Sequence, residues 1–169
     1  MAKKRSKIRD NVKCIRGFAH VHLVGRDGSL AGDSGWVENT IVNEGFDDFM
    51  CRLLVNTTSS KQVTAIALGT GTAPAVTSTS LAGEICSTDT ANTFKRTTFT
   101  ASVISSKTLR LTATFNSSAS HNYQAETIQN VGLYDGTAST NSLFAGVTYN
   151  TSQWNTNQSI NLTYDIQFS

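Results

Sequence analysis

The chain has 169 residues, a mass of 18.2 kDa, 38% hydrophobic residues and a formal net charge of +2. A chain of this size and apolar content is expected to fold as one domain with its own core, which excludes a disordered protein. About one third of the residues are Ser, Thr or Asn and only 15% are charged, which favours β-strands with hydroxyl-bearing faces over surface helices.

No apolar run reaches the length of a membrane span, and the N-terminal residues lack the apolar stretch of a signal peptide. We therefore expect a protein that has no membrane partner and folds in a cytoplasm. The three cysteines, Cys14, Cys51 and Cys86, are odd in number and far apart. This pattern favours buried reduced thiols, and it leaves an intersubunit disulfide open.

The basic residues are concentrated at the N-terminus, where eight of the fourteen lie within the first 26 positions. We predict a basic arm over residues 1–16 that binds a partner, followed by a single β-sandwich domain over residues 17–169. The alternatives are an arm that neutralises phosphates and a solvated tail. No aromatic residue precedes Phe18 to stack on bases, which argues against sequence-specific nucleic-acid binding. The cations assigned to the arm are Lys3, Lys4, Arg5, Lys7, Arg9, Lys13 and Arg16.

Apolar and polar residues alternate over residues 17–24, which predicts a first strand, and the Asp-Gly dipeptide at residues 27–28 predicts the turn after it. A second strand is expected at about residues 36–42. Asn43 is placed to cap a helix over about residues 43–54, in which Phe46, Phe49, Met50, Leu53 and Leu54 recur at helical spacing.

The rest of the chain predicts strand after strand, and the last is the clearest because Ile160, Leu162, Tyr164, Ile166 and Phe168 all lie on one face. The fold class is therefore mainly β: an antiparallel β-sandwich or jelly-roll-like domain with one short α-helix and an extended basic N-terminal arm. The later strands are predicted at residues 63–68, 93–105, 107–115, 124–133, 143–149 and 159–168.

Two motifs near the N-terminus could carry chemistry. Residues 32–35, Gly-Asp-Ser-Gly, copy the tetrapeptide around the nucleophile of chymotrypsin-like proteases, but too few residues precede them to build the scaffold that holds the other catalytic groups. We interpret them as a polar turn between two strands. His20 and His22 can share a strand face and could bind zinc with Cys14 or His121, but without a paired ligand motif we interpret them as surface or interface histidines.

Two further features are predicted to be structural. The Gly-Thr-Gly of residues 69–71 follows a strand, but no helix begins after it to bind a phosphate. The carboxylates Glu84, Glu126, Asp135 and Asp165 could pair as in a glycosidase, but nothing in the sequence places two of them together. We therefore predict no enzymatic activity, no catalytic residues, no cofactor and no metal.

Most of the chain resembles a group of small virion proteins of tailed bacteriophages. In this group an N-x-I-x-N-x-G opening leads into a helix, an ALGTGT turn precedes T-x-L-x-x-E, and a strand ending in GL-(F/Y)-D leads to LFA. The matching segments are WVENTIVNEGFDDFMCRLL (residues 36–54), IALGTGTAPAVTSTSLAGEI (66–85), RTTFTA (96–101), ETIQNVGLYDG (126–136) and LFAGVTY (143–149).

The resemblance implies a β-rich structural subunit of the virion, assembled in the host cytoplasm, with no catalytic residues to carry over. A compact domain with a basic arm suits a capsid decoration or cement protein, whose partners are the major capsid protein or other virion proteins. The analogy also implies a homo-oligomer, with a trimer favoured. A tail or tail-fibre component involved in host attachment is the alternative, and a host-polysaccharide depolymerase is a more remote one.

Overall fold

A computed structural model describes residues 15–54, 60–85, 96–116, 126–138, 140–155 and 158–169. In these residues the chain forms nine strands and one helical segment, which lies between the third and fourth strands. The strands are β1 (Ile15–Val24), β2 (Leu30–Glu38), β3 (Thr40–Ile41), β4 (Ala65–Gly69), β5 (Thr100–Ser105), β6 (Thr108–Asn116), β7 (Glu126–Tyr134), β8 (Leu143–Trp154) and β9 (Ser159–Phe168).

The strands form two antiparallel sheets that pack face to face. The five-stranded sheet has the order β2-β1-β9-β6-β5, and the four-stranded sheet has the order β3-β8-β7-β4. Side chains from the inner faces of both sheets form one continuous core. The predicted mainly β antiparallel sandwich with a helical segment is confirmed.

Strand β9 holds the five-stranded sheet together because it pairs with β1 on one side and β6 on the other. Its alternation puts Ile160, Leu162 and Tyr164 into the core, where Leu162 lies opposite Val21 of β1. The expectation that Phe168 also lies in the core was wrong, since its side chain is 45% exposed. Phe168 is the last strand residue, and its N–H donates a hydrogen bond to the Lys107 carbonyl.

The two sheets differ in what covers their outer faces. All five residues of β4 are buried, because a second apolar cluster forms on the outer side of the four-stranded sheet. The loop that follows β4 supplies Leu81, whose N–H donates a 2.7 Å hydrogen bond to the Tyr134 hydroxyl. The outer face of the five-stranded sheet has no such apolar cover from the described residues, and many of its side chains are partly or fully exposed.

Two of the predicted strands are each divided between the sheets. The strand expected at residues 36–42 ends at Glu38 in one sheet and restarts at Thr40 in the other. Asn39 makes the crossing: its side-chain oxygen accepts a 2.9 Å bond from the Gly17 N–H, and its amide nitrogen donates to the Tyr164 hydroxyl.

The strand expected at residues 93–105 is divided in the same way, although residues 93–95 lie outside the described residues. Thr97 bridges Ile66 at the edge of the four-stranded sheet through two backbone hydrogen bonds of 2.8 and 2.9 Å. Strand β5 then begins at Thr100 in the other sheet.

The helical segment differs from the predicted helix in its geometry. It runs as a π-helix over Gly45–Cys51 and then as a short α-helix, α1 (Arg52–Leu54). No side chain caps its start, so the capping role predicted for Asn43 was wrong. The wider π-helical turn also changes which residues face inward. Phe49 is buried, whereas Phe46 and Leu53, predicted on the apolar face, are 43% and 59% exposed.

Three further observations concern the sequence predictions. Strand β1 begins at Ile15, so the last two residues of the predicted arm belong to the sheet. Cys51 is a free, exposed thiol and not a buried one, while Cys14 and Cys86 lie outside the described residues. No helix in the described part of the chain is both long and apolar enough to cross a membrane.

Candidate functional site

The open face of the five-stranded sheet brings together the histidines of β1 and an acid of β2. His20 and His22 point outward because Ala19, Val21 and Leu23 point into the core. The pairing of β1 with β2 places His20 opposite Trp36 and His22 opposite Asp33. Directly opposed residues share a face, so the two imidazoles, the indole and the carboxylate form one cluster.

The distances within this cluster are short. His20 Nε2 lies 2.5 Å from Asp33 Oδ1, and His22 Nε2 lies 3.5 Å from Asp33 Oδ2. The two imidazole rings are 4.1 Å apart between centroids, and the Trp36 ring lies 5.0 Å from that of His20. One nitrogen from each histidine and one Asp33 oxygen all lie within 4.8 Å of one another.

A β-bulge in β2 aims Asp33 at the histidines. The register shifts between the pairs His20 with Trp36 and His22 with Asp33, so Ser34 and Gly35 form an extra step in the strand. Gly35 has a φ of 64°, which a glycine adopts without strain. The Gly35 N–H donates a 2.8 Å hydrogen bond to Asp33 Oδ1. Mainly through this bond, and secondarily through His20, the pKa of Asp33 is lowered, so the group is a carboxylate at neutral pH.

The Gly-Asp-Ser-Gly tetrapeptide therefore has a structural explanation, but not the predicted one. It lies within β2, as the bulge, and not in a turn between strands. The Ser34 hydroxyl accepts a 2.9 Å bond from the Val21 N–H and donates a 2.7 Å bond to the Gly35 carbonyl. The group that contacts an imidazole is Asp33 and not the serine, so the arrangement differs from that of a serine protease.

A shallow cleft continues from this cluster across the same face. Arg110 of β6 forms two 2.8 Å hydrogen bonds to the carboxylate of Asp165 in β9, and its guanidinium carbon lies 5.7 Å from the Trp36 ring centre. Together with Phe18 and Gln167 they line a cavity of about 330 Å³. Sequence reasoning treated Asp165 as a scattered carboxylate, because the pairing of β6 with β9 that brings Arg110 to it is not visible in the sequence.

Most of the predicted partner-binding arm lies outside the described residues. This holds for Lys3, Lys4, Arg5, Lys7, Arg9 and Lys13. Arg16 lies in β1, where its side chain is 57% exposed and its Nε is 3.5 Å from Glu38 Oε1. The first described residue, Ile15, lies opposite Phe168 and at the same end of the sheet as the turn between β5 and β6.

The carboxylates considered for a glycosidase all have partners wherever their side chains are described. Glu84 pairs with Arg96 at 2.6 Å, and Asp135 accepts a 2.7 Å bond from the Ser142 N–H. Asp165 pairs with Arg110, as above. The side chain of Glu126 lies outside the described residues.

The Gly-Thr-Gly loop after β4 is structural, as predicted. The Thr70 and Gly71 N–H groups donate to the carbonyls of Gly83 and Ala82, so they are not available to a phosphate. A side chain at Gly71 would place a carbon 2.3 Å from the Ala82 carbonyl oxygen, so the loop requires glycine there.

A cluster around Lys61 was missed by sequence reasoning. Its Nζ lies 2.7 Å from Asp48 Oδ2 and contacts the hydroxyl of Ser142, which donates a 2.7 Å bond to Glu44. Burial lowers the pKa of Lys61, but the hydrogen bond and charge of Asp48 outweigh it, and the net pKa is raised. Lys61 in its charged form cannot take the proton from the Ser142 hydroxyl and so cannot activate that serine as a nucleophile. We therefore infer that this cluster stabilises the position of the helical segment, which carries Asp48.

No family model, no curated protein sequence and no solved structure matches this chain.

Proposed function

We propose that this protein is a non-enzymatic structural component of a tailed-phage virion, most simply a capsid decoration or cement protein. Its N-terminal arm would bind the major capsid protein or another virion protein, and copies of the domain would associate with one another. The resemblance in the sequence supports the virion setting. The observation that carries the structural role is the exposed apolar edge of the five-stranded sheet.

This edge is formed by β5, all six residues of which are exposed. Strand β5 pairs with β6 on one side, and no strand in the described parts of the chain pairs with its other side. Its sequence, TASVIS, contains no charged residue and no proline, the usual protections of a free edge. Val103 is 76% exposed and Ile104 is 47% exposed, so this edge is suited to burial against another subunit.

The apolar surface extends from β5 to the helical segment. The inner-facing side chains of β5 include Ala101, which lies opposite Leu111 and lines a second cavity of about 330 Å³. Met50 and Leu53 line the same cavity, and Leu53 is 59% exposed. We infer that a second copy of the chain covers this surface, because an uncharged edge and an open apolar cavity side by side would favour association in solution.

The arrangement of charged groups also supports a structural role over a hydrolytic one. Among the described residues, Glu84 and Asp165 are each held by an arginine in a two-point ion pair. Both oxygens of each carboxylate accept a hydrogen bond from a guanidinium, so these groups are engaged in holding the fold. The arm adds a charge pattern suited to an acidic protein surface.

The test of the arm is its removal from the intact protein. Because β1 begins at Ile15, the deletion should end at residue 14 and leave the sheet unchanged. A second variant should replace the six cations of residues 1–14 by glutamine and keep the length of the arm. Both variants should keep the circular dichroism spectrum of the full chain and lose occupancy on purified particles that lack this protein. Unchanged occupancy of both variants would refute the arm as the attachment element.

A tail or tail-fibre component involved in host attachment is the second candidate, and the cleft beside Trp36 favours it. An indole that is 48% exposed next to a paired arginine and carboxylate can stack on a sugar ring and bind its hydroxyls. Labelling Cys51 with gold on intact virions would separate the candidates, since label on the head supports decoration and label on the tail supports attachment. Binding of soluble protein to host cells, lost in Trp36→Ala, would favour the second.

A further inference from the structure

We propose that His20, His22 and Asp33 form a binding site for a divalent transition-metal ion, with zinc as the expected ion. The proposal goes beyond the structural role above and does not depend on it. It rests on the positions of three donor atoms that the pairing of β1 with β2 brings together.

The donor set suits zinc. Two imidazole nitrogens and one carboxylate oxygen are ligands that zinc prefers, whereas calcium and magnesium prefer sites made of oxygen alone. Ligand atoms about 2.0 to 2.1 Å from a tetrahedral zinc ion lie about 3.3 Å from one another. His20 Nε2 lies 2.5 Å from Asp33 Oδ1 and His22 Nε2 lies 3.5 Å from Asp33 Oδ2, and these two separations bracket this distance. Binding would require the closer pair to open by about 0.8 Å.

Strand pairing and hydrogen bonds already hold the three donor side chains close together without an ion. Both histidines lie on β1. This strand is fixed on both sides, because it pairs with β2 on one side and with β9 on the other. Asp33 is oriented by the hydrogen bond from the Gly35 N–H, the kind of outer contact that fixes a metal ligand. The Trp36 ring packs beside His20 and limits the directions its imidazole can take.

Three protein ligands leave at least one coordination position open. The side chains of His22 and Asp33 are 37% and 44% exposed, so water or a donor from another molecule can reach that position. Zinc would also link β1 to β2 across the bulge. The bound ion should therefore raise the thermal stability of the folded protein.

The sequence indicated only part of this site. His20 and His22 were noted as a pair, but Cys14 and His121 were considered as the third ligand, and both lie outside the described residues. The carboxylate comes instead from Asp33, thirteen residues after His20. The bulge and the register of β2 place it there, and neither can be derived from spacing.

The experiment is a calorimetric titration of the full chain with zinc chloride after treatment with EDTA. We expect one zinc ion per chain and a higher melting temperature with zinc than without it. Cobalt chloride should give the visible absorption of a four-coordinate ion, and calcium chloride should give no binding. The variants His20→Ala, His22→Gln and Asp33→Asn should each weaken zinc binding by about tenfold or more.

Matched controls separate the site from general effects of the substitutions. Asp27→Asn changes an exposed acid in the turn after β1, and His121→Ala changes the remaining histidine. Both should bind zinc as the original protein does. Absence of saturable zinc binding by the original protein would overturn the proposal. So would binding unchanged in the three site variants, whose folding is checked by circular dichroism, or binding lost equally in His121→Ala.

Discussion

A buried ion pair between Arg96 and Glu84 allows a quantitative test of what holds the sandwich together. The two side chains are 1% and 3% exposed, and two hydrogen bonds of 2.6 and 3.1 Å join them. Arg96 also donates to the carbonyls of Gly136 and Ala138, and its guanidinium lies 3.5 Å from the centre of the Tyr134 ring. The Arg96 side chain thus links its own segment to Glu84 and to residues 134–138.

Replacing Arg96 by methionine keeps most of the side-chain volume but leaves the Glu84 carboxylate buried without its cation. Among the described contacts, the Tyr134 hydroxyl, 2.9 Å away, would remain as a donor. Removal of one member of a buried pair typically costs about 3 to 5 kcal/mol of the free energy of unfolding. We expect Arg96→Met to fall in this range, a large part of the roughly 5 to 15 kcal/mol that stabilises an ordinary domain.

Urea unfolding followed by circular dichroism measures this change. Arg16→Met serves as the control, because the ion pair between Arg16 and Glu38 is more than half exposed. Its loss should lower the free energy of unfolding by less than about 1 kcal/mol. The double variant Arg96→Met, Glu84→Leu should be more stable than Arg96→Met alone, because no charge is then left buried. A loss of less than about 1 kcal/mol in Arg96→Met would refute the assignment of this pair as a main support of the fold.

Three further predictions concern association, the bulge and the helical segment. Val103→Asp should reduce the oligomer mass measured by light scattering, because it places a charge on the apolar edge, whereas Thr112→Asp on the opposite face should not. Gly35→Ala should lower the free energy of unfolding by about 1 kcal/mol, measured in urea, because φ is 64° there. The hydrogen bond from Lys61 lowers the pKa of Asp48 below 3.8, so the carboxylate contributes stability above that pH which is lost as the pH falls. Calorimetry should therefore show Asp48→Asn melting at a lower temperature than the original protein at neutral pH, and the difference should shrink as the pH falls below 3.8.

Each of these predictions has an outcome that contradicts it. The association surface is wrong if the original protein is a monomer at all concentrations tested. A fully stable Gly35→Ala would mean that the bulge tolerates another conformation. A gap between Asp48→Asn and the original protein that stays constant with pH would show that its ion pair with Lys61 does not contribute as described.

The strands themselves could be predicted because side-chain alternation is a local property. Strand β9 shows this, since Ile160, Leu162 and Tyr164 are buried while Asn161 is exposed. Besides Phe168, one other residue of β9 departs from the pattern: Asp165 belongs to the polar face and is nonetheless only 5% exposed. Arg110 of the neighbouring strand β6 binds it. The sequence of β9 alone cannot show that this partner lies there.

The prediction of an α-helix at residues 43–54 was wrong for a different reason. The existence of a helical segment followed from the spacing of its apolar residues, but the spacing assumed the pitch of an α-helix. The close approach of Gly45 to the Phe144 carbonyl, where a side chain would lie 2.2 Å from the oxygen, is a tertiary contact. The segment is π-helical over Gly45–Cys51, and the side chains of Phe46 and Leu53 are exposed instead of buried.

From the sequence alone, the mainly β class, the position of most strands and the one helical segment follow, because alternation and helical spacing are determined by neighbours in the chain. Where a strand changes sheets, as at Asn39, and which acid meets His20 and His22 depend on strand register and on a bulge. Register results from pairing between distant segments, and a shift of one residue would move Asp33 to the other face of the sheet. Only the tertiary structure therefore decided which side chains form the candidate site.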